Sequence, residues 1–318
     1  MAKSSVPKES LDQKVITCIL YHDQKRKIKN LIEILSRNEL TDILIVLDGL
    51  SEIKEKDQLL KLNKNLNFLS FKQQKGISFC RNVALKYAKE NEYFILIFID
   101  SDAIPTNNFV SNHIKYHKEY ENVPILGGGV IPSFLQKKTN IWQTLDGYMS
   151  WFCSVPLYKT VKINFPYHIA TTNFSIKVSF LKKENLEFDI DQITGEDADF
   201  CLKTLKLNYS ILLIPNSEVY HNDRENFKDF FNHQFDWSEH HYIRYKKMFL
   251  NHFKSKLVWI IFALIYLICI PVIALIITIL NIKPWLRKDK KIVPLIIPIY
   301  FIRIILCFYT LRGIFNKK

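Results

Sequence analysis

Short apolar runs alternate with amphipathic stretches through the first hundred residues. Residues 15–20, with Thr17 as the one polar position, and 43–47 are apolar segments, a weaker run covers 66–71, and residues 94–99 form an unbroken apolar hexamer that ends in Asp100-Ser101-Asp102. A hexamer with no polar alternation reads as a strand buried on both faces. Between the first two runs, Ile28, Leu31, Ile32, Ile34 and Leu35 recur at helical spacing, and Gly76 opens a second amphipathic stretch that continues to Ala88. Strands alternating with helices predict an α/β fold, Rossmann-like, with a mostly parallel sheet and loops gathered at one edge.

Asp100 and Asp102 stand where open α/β sheets take their ligands, just beyond the C-terminal end of a strand. One intervening residue lets both carboxylates approach a divalent cation. Hard oxygen donors suit Mg²⁺ or Mn²⁺, which would neutralise nucleotide phosphates; a solvated turn is the alternative for so short a pattern. A second acidic cluster, Glu196-Asp197-Ala198-Asp199, follows Gly195 and leads into Phe200, Leu202 and Leu205, a loop entering a helix. A carboxylate at a helix N-terminus stays ionised, which suits a general base, and plain N-capping is the other reading. His221 closes a strand expected to begin at Ile211.

Taken in order, Asp48 after the second strand, residues 76–82, Asp100-Ser101-Asp102, Gly195-Glu196-Asp197 and Val219-Tyr220-His221 resemble the family 2 glycosyltransferases, nucleotide-sugar-dependent enzymes of the GT-A fold, over residues 15–245. The resemblance implies an inverting transfer in which Asp197 takes the proton of the acceptor hydroxyl and Glu196 positions the acceptor. It implies donor contacts from Asp48, Arg81 and Asp100, with the Arg81 guanidinium on the diphosphate, and a metal held by Asp102, Asp100 and His221. Trp142, Tyr148, Trp151, Phe152 and Tyr158 crowd the stretch the family uses for acceptor structure. Trp151 and, after Thr171-Thr172, Asn173 are the acceptor candidates, with core packing and turn chemistry as the alternatives. The pattern departs from the family at Leu20-Tyr21-His22-Asp23 and in keeping a single aspartate, Asp48, after the second strand. Two other classes therefore stay open, a catalytically degenerate membrane-anchored sugar or nucleotide-binding module and a nucleotidyltransferase. The latter expects a glycine-rich phosphate loop after the first strand, and residues 20–26 contain no glycine.

With 318 residues, 48% of them hydrophobic, the chain has room for one large domain and a smaller part. The smaller part is C-terminal. Residues 257–282 carry no charge, and residues 292–311 form a second apolar segment interrupted by Pro294, Pro298 and Arg303; about 20 apolar residues suffice to cross a bilayer. The expected organisation is a tail over 1–14, the catalytic domain over 15–245, a basic connector over 246–256 and a membrane region over 257–315. Lysines precede the first apolar segment and Lys283, Arg287, Lys288, Lys290 and Lys291 follow it, so a simple crossing puts one basic cluster on the wrong side. Two full crossings and a re-entrant bend at Pro271 are both open, and an interfacial helix is the alternative for the second segment, where Arg303 would have to snorkel or find a partner.

The net charge of +13 is explained by the same flanking residues and their attraction to anionic headgroups, which makes a lipid bilayer the expected partner. No nucleic-acid-binding motif accompanies the charge, so no nucleic-acid partner is expected. Six cysteines without Cys-x-x-Cys spacing read as reduced thiols, and residues 1–14 contain no apolar leader segment. The catalytic domain is accordingly expected at the cytoplasmic face of the cell (inner) membrane. There it would meet its nucleotide-sugar donor and a saccharide or polyprenyl-linked acceptor.

Overall fold

The computed structural model describes residues 14–22, 28–37, 40–245 and 256–315, so nearly all of the expected N-terminal tail and basic connector lie outside the described residues. The first half contains, in chain order, β1 (Val15–Tyr21), α1 (Lys29–Ser36), β2 (Asp42–Asp48), α2 (Lys56–Leu62), β3 (Leu66–Phe71), α3 (Ile77–Glu90), β4 (Ile95–Asp100), β5 (Ala103–Pro105), α4 (Phe109–Glu119), β6 (Ile125–Gly127), β7 (Val130–Ile131) and α5 (Ile141–Ser150). The second half continues with β8 (Val161–Ile163), β9 (Asn173–Lys177), α6 (Val178–Glu184), α7 (Glu196–Lys206), β10 (Ile211–Leu213), β11 (Val219–His221), α8 (Phe227–Tyr245), α9 (Lys256–Leu286) and α10 (Ile296–Phe315).

Eight strands form the main sheet in the order β3-β2-β1-β4-β9-β6-β10-β8. The first four are parallel to one another, and β9 and β8 run against their neighbours. As the apolar hexamer requires, β4 is buried on both faces: Ile95, Ile97 and Ile99 point into the layer with α1, while Leu96 and Phe98 point into the layer with α3 and α7. β2 and β4 flank β1 on opposite sides, so the strand order reverses there and the chain leaves a crevice at the C-terminal ends. Asp48 and Asp100 are the last residues of the strands on either side of it.

A smaller sheet, β5-β11-β7, stands beside this crevice. The single strand expected from Ile211 to His221 is in fact two: β10 stays in the main sheet, and after 214–218 the chain starts β11 in the small sheet. That change of sheet has a chemical consequence. His221 pairs in register with Ala103, the residue after Asp102.

At the C-terminus, α9 and α10 pack as an antiparallel hairpin, and Ile260–Leu286 and Lys290–Gly313 are each long and apolar enough to cross a membrane. Helix α9 is continuous through Pro271, so the re-entrant bend that this proline would allow, one of the alternatives above, does not form. Packing against α10 on both sides of the proline, by Tyr266 and Ile270 before it and Ala274 after it, holds the helix in one piece.

The joint between α5 and α8 is ionic. Fully buried Asp146 accepts from the Arg224 backbone and guanidinium, both at 3.1 Å, and from Gln234 at 3.4 Å, with His233 3.7 Å away. Burial alone would raise this carboxyl, but the neighbouring His233 imidazole and the charge and backbone N–H of Arg224 hold it well below the usual carboxylate range. Its folded-state pKa is depressed, so its contribution is present above the ordinary aspartate range and is lost only as pH falls through the lower folded value. Asp146→Asn should therefore cost about 2–3 kcal/mol, read as a lower thermal midpoint at neutral pH.

Candidate active site

The acidic residue pairs at the crevice are held by different parts of the chain. Asp100 Oδ2 accepts from Thr172 Oγ1 at 2.5 Å, which fixes the first aspartate of the triplet. Asp102 is partly exposed, and its Oδ1 lies 3.8 Å from His221 Nε2. On the other side of the imidazole, Nδ1 faces Asp223 Oδ1 at 3.8 Å and is buried without a hydrogen-bond partner. Asp223 is itself anchored by Ser133 N at 2.6 Å and by Trp151 Nε1 at 3.0 Å, while the Trp151 ring packs on His221 with centroids 4.6 Å apart.

Among the described residues no three His, Cys, Asp or Glu side chains converge into a ready-made metal cluster. The donor set nevertheless fits a divalent cation completed by a ligand's own oxygens. Asp102 and His221 face each other, and a carboxylate behind Nδ1 favours the tautomer that leaves Nε2 free to coordinate. An imidazole in the set favours Mn²⁺ over the harder Mg²⁺.

The second half of the site begins at Gly195, whose φ of +74° turns the loop into α7. Glu196 is buried and ion-paired with the Arg81 guanidinium, which also lies over the Phe188 ring. Burial raises the Glu196 carboxyl above its ordinary value, against the opposing charge of Arg81 and with a further rise from neighbouring Asp197. Asp197 is less buried. Its Oδ1 accepts from Ala198 N at 2.7 Å and stands 3.8 Å from His168 Nε2, and His168 Nδ1 lies 3.6 Å from Cys153 Sγ. Residues 151–153 thus touch both halves, Trp151 against His221 and Cys153 against His168.

Several expected ligands are committed elsewhere. Arg81 is buried rather than open to a diphosphate; it shares the inward face of α3 with Ala84, Leu85 and Ala88, and its guanidinium meets Glu196 and the Phe188 ring. Asp48 uses Oδ1 and Oδ2 to accept from Lys75 N (2.6 Å) and Gly76 N (3.0 Å), clasping the loop into α3, where Gly76 has φ +91°. Asn173 cannot reach an acceptor. Its Nδ2 donates to Gly129 O (3.1 Å) and Ser217 O (2.6 Å), and its Oδ1 accepts from Gly128 N (3.1 Å) and lies 3.0 Å from Nε2 of His113, which burial pushes down to about 4. Trp151 is buried on His221 rather than presented as a sugar platform. Of the other aromatics, Trp142 packs on Phe227, Phe230 and Phe231, Tyr148 packs on Trp285, and Tyr158 alone is largely exposed.

Asn173 instead ties the main sheet to the small one, at a place where the backbones come very close. A Cβ at Gly128 would stand 1.7 Å from Ser217 O and 2.4 Å from Asn173 Nδ2. Gly128→Ala should therefore displace β11 together with His221, lowering both the thermal midpoint, by about 1–3 kcal/mol in stability, and the affinity for Mn²⁺. Gly128, Asp223 and His168 are not among the residues expected from sequence, and the Thr172 hydroxyl, expected on the acceptor side, instead holds Asp100. Only the His221-x-Asp223 spacing could have drawn attention, and spacing alone does not say which way either side chain points.

This geometry meets its comparison in known proteins. Residues 95–313, which include both acidic clusters, His221 and the C-terminal hairpin, match the glycosyl transferase family group 2. The chain belongs to that family. It is 40% identical over 62 residues to the uncharacterized glycosyltransferase YfnE of Bacillus subtilis, covering 20% of this chain and 15% of that protein. It is 24% identical over 210 residues to the dolichyl N-acetyl-alpha-D-glucosaminyl phosphate 3-beta-D-2,3-diacetamido-2,3-dideoxy-beta-D-glucuronosyltransferase of Methanococcus voltae, covering 59% of each. The crystal structure of GalNAc-T7 with UDP, GalNAc and Mn²⁺ superposes with a TM-score of 0.52 at 17% identity, over 68% of this chain and 45% of that one. The chain thus has the GT-A fold, and it spans less than two-thirds of the length of each of these three proteins.

Proposed function

We propose that this glycosyltransferase moves a sugar from a nucleotide-sugar donor, with inversion at the anomeric carbon, to a saccharide or polyprenyl-linked acceptor at the cytoplasmic membrane face. The acceptor oxygen attacks the anomeric carbon as the bond to the diphosphate breaks, and the nucleoside diphosphate leaves with the electron pair. Asp197 takes the hydroxyl proton. A cation held by Asp102, Asp100 and His221 would neutralise charge on the departing diphosphate.

The observation that carries this reading is the unequal treatment of two adjacent carboxylates. Glu196 is buried against Arg81, whereas Asp197, beside it at the positive end of α7, is partly exposed and pairs with no arginine among the described residues. Glu196 then positions the base rather than the acceptor. Asp48 acts on the donor through the loop that it clasps. UDP-sugars are the first donors to try, since UDP and Mn²⁺ are bound in the GalNAc-T7 structure.

The test is a panel of nucleotide sugars offered to the detergent-solubilised chain, scored by release of nucleoside diphosphate with Mn²⁺, with Mg²⁺ and with chelator. One donor should be used, faster with Mn²⁺ than with Mg²⁺, and chelation should abolish turnover. Turnover that is indifferent to chelation would remove the cation from the reading, and binding of no donor would remove the reading itself.

A further inference from the structure

We infer that the α9–α10 hairpin lies in the plane of one bilayer leaflet and crosses the membrane nowhere; this rests on the membrane attachment proposed above and specifies its form. Both ends of α10 are held by the catalytic domain. Just before the helix, Asp289 accepts from Tyr148 OH at 2.9 Å, and Trp285 and Asn281 at the end of α9 both donate to Tyr148 O at 2.9 Å. At the other end, Thr310 Oγ1 donates to Ser238 O of α8 at 2.9 Å, and Tyr309 stacks on Phe235 with centroids 3.7 Å apart. Between them, Ile292, Ile299, Ile302 and Leu306 enter the same core cluster as Leu145, Tyr148 and Phe230.

At 1.5 Å per residue, α10 from Ile296 to Thr310 is about 21 Å long, most of the hydrocarbon thickness of a bilayer. If α10 crossed, the α8 edge beside it would have to enter the hydrocarbon, and α8 exposes Lys228, Asp229, Asn232 and Asp236. Each charge there would cost several kcal/mol. Helix α9 is bound by the same restriction, because it lies antiparallel along α10.

The faces turned away from the domain have the chemistry of a leaflet-bound surface. On α10, Ile297, Phe301, Ile305 and Phe308 make one exposed stripe; α9 adds a broader one that includes Ile268, 79% exposed, and Ile276. Exposed Lys283, Arg287, Lys290 and Lys291 surround the hairpin turn, and Arg312 lies near the open end. Apolar stripes rimmed by cations fit a leaflet containing anionic lipid. An in-plane hairpin also keeps the basic clusters on the side of the catalytic domain, which two crossings cannot do.

The test places single additional cysteines in the full chain: Lys86→Cys on α3 as the catalytic-side marker, Lys290→Cys at the turn and Arg312→Cys at the open end. Five of the six native cysteines are buried, so the unsubstituted chain serves as the labelling blank. An impermeant maleimide applied to intact cells and to inverted vesicles should label all three from one and the same side. Labelling of Lys290→Cys from the side opposite to Lys86→Cys would overturn the inference while leaving membrane attachment intact. A companion variant, Ile268→Glu with Ile276→Glu, should weaken binding to vesicles of phosphatidylcholine and phosphatidylglycerol by about tenfold or more with an unchanged unfolding profile. Failure of the unsubstituted chain to bind those vesicles would instead refute the membrane reading itself. Unchanged vesicle binding, with a dimer broken by the variant, would reassign the face to a second copy of the chain.

Discussion

Replacing Asp197 by Asn should slow sugar transfer by about 10²–10⁴-fold, the range for loss of a general base, with donor affinity within about twofold of the parent chain. Asparagine keeps the size of the side chain and can still accept from Ala198 N, so α7 should hold its place. What it loses is the capacity to take a proton. Steady-state rates with the donor found in the panel, set beside calorimetric affinities, separate the two effects. A parallel loss of donor affinity would move Asp197 into the donor site, and normal turnover would take it out of the chemistry.

Asp102→Ala should act on the other half. Removing a first ligand is expected to weaken Mn²⁺-dependent nucleotide binding by about 100-fold or more, with little change in unfolding temperature, because Asp102 is partly exposed beyond the end of β4 rather than packed in the core. His221→Ala should weaken the same binding, and it should also lower the unfolding temperature, since His221 is a buried strand residue packed on Trp151.

Which parts of this arrangement could be read from sequence follows from the kind of information each needs. The unbroken apolar hexamer before Asp100 could be read as a central strand because burial on both faces leaves no polar alternation, and its acidic ending marks the ligand edge of the sheet. The pairing of the two acidic clusters came from their order in a recognised family pattern. Helical spacing is informative at Arg81, which shares the i, i+3, i+4, i+7 face of Ala84, Leu85 and Ala88 and is therefore turned inward. Asn173 and Trp151 show the opposite limit. Their side-chain types suit sugar contacts, yet a buried amide with four polar neighbours and an indole fixed by Asp223 are tertiary facts that no local pattern encodes.

Pro271 is a similar case. A proline marks a place where a helix can bend, but packing along α10 decides whether it does, and here α9 runs on. His168 had no legible signal at all. It lies in the loop between β8 and β9 and meets Asp197 only because that loop folds back to the start of α7. Tyr148 was legible as aromatic bulk, but its use as the anchor for Trp285, Asn281 and Asp289 depends on contacts more than 130 residues apart in the chain.

The division of labour across residues 151–153 is tested most directly by calorimetric titration of the nucleoside diphosphate, in the presence of Mn²⁺, into the parent chain, Asp102→Ala and Asp197→Asn. Binding close to that of the parent chain in Asp197→Asn and lost in Asp102→Ala is the expected outcome. Equal loss in both variants, or retention in Asp102→Ala, would contradict a site in which one carboxylate pair holds the donor and the other carries out the transfer.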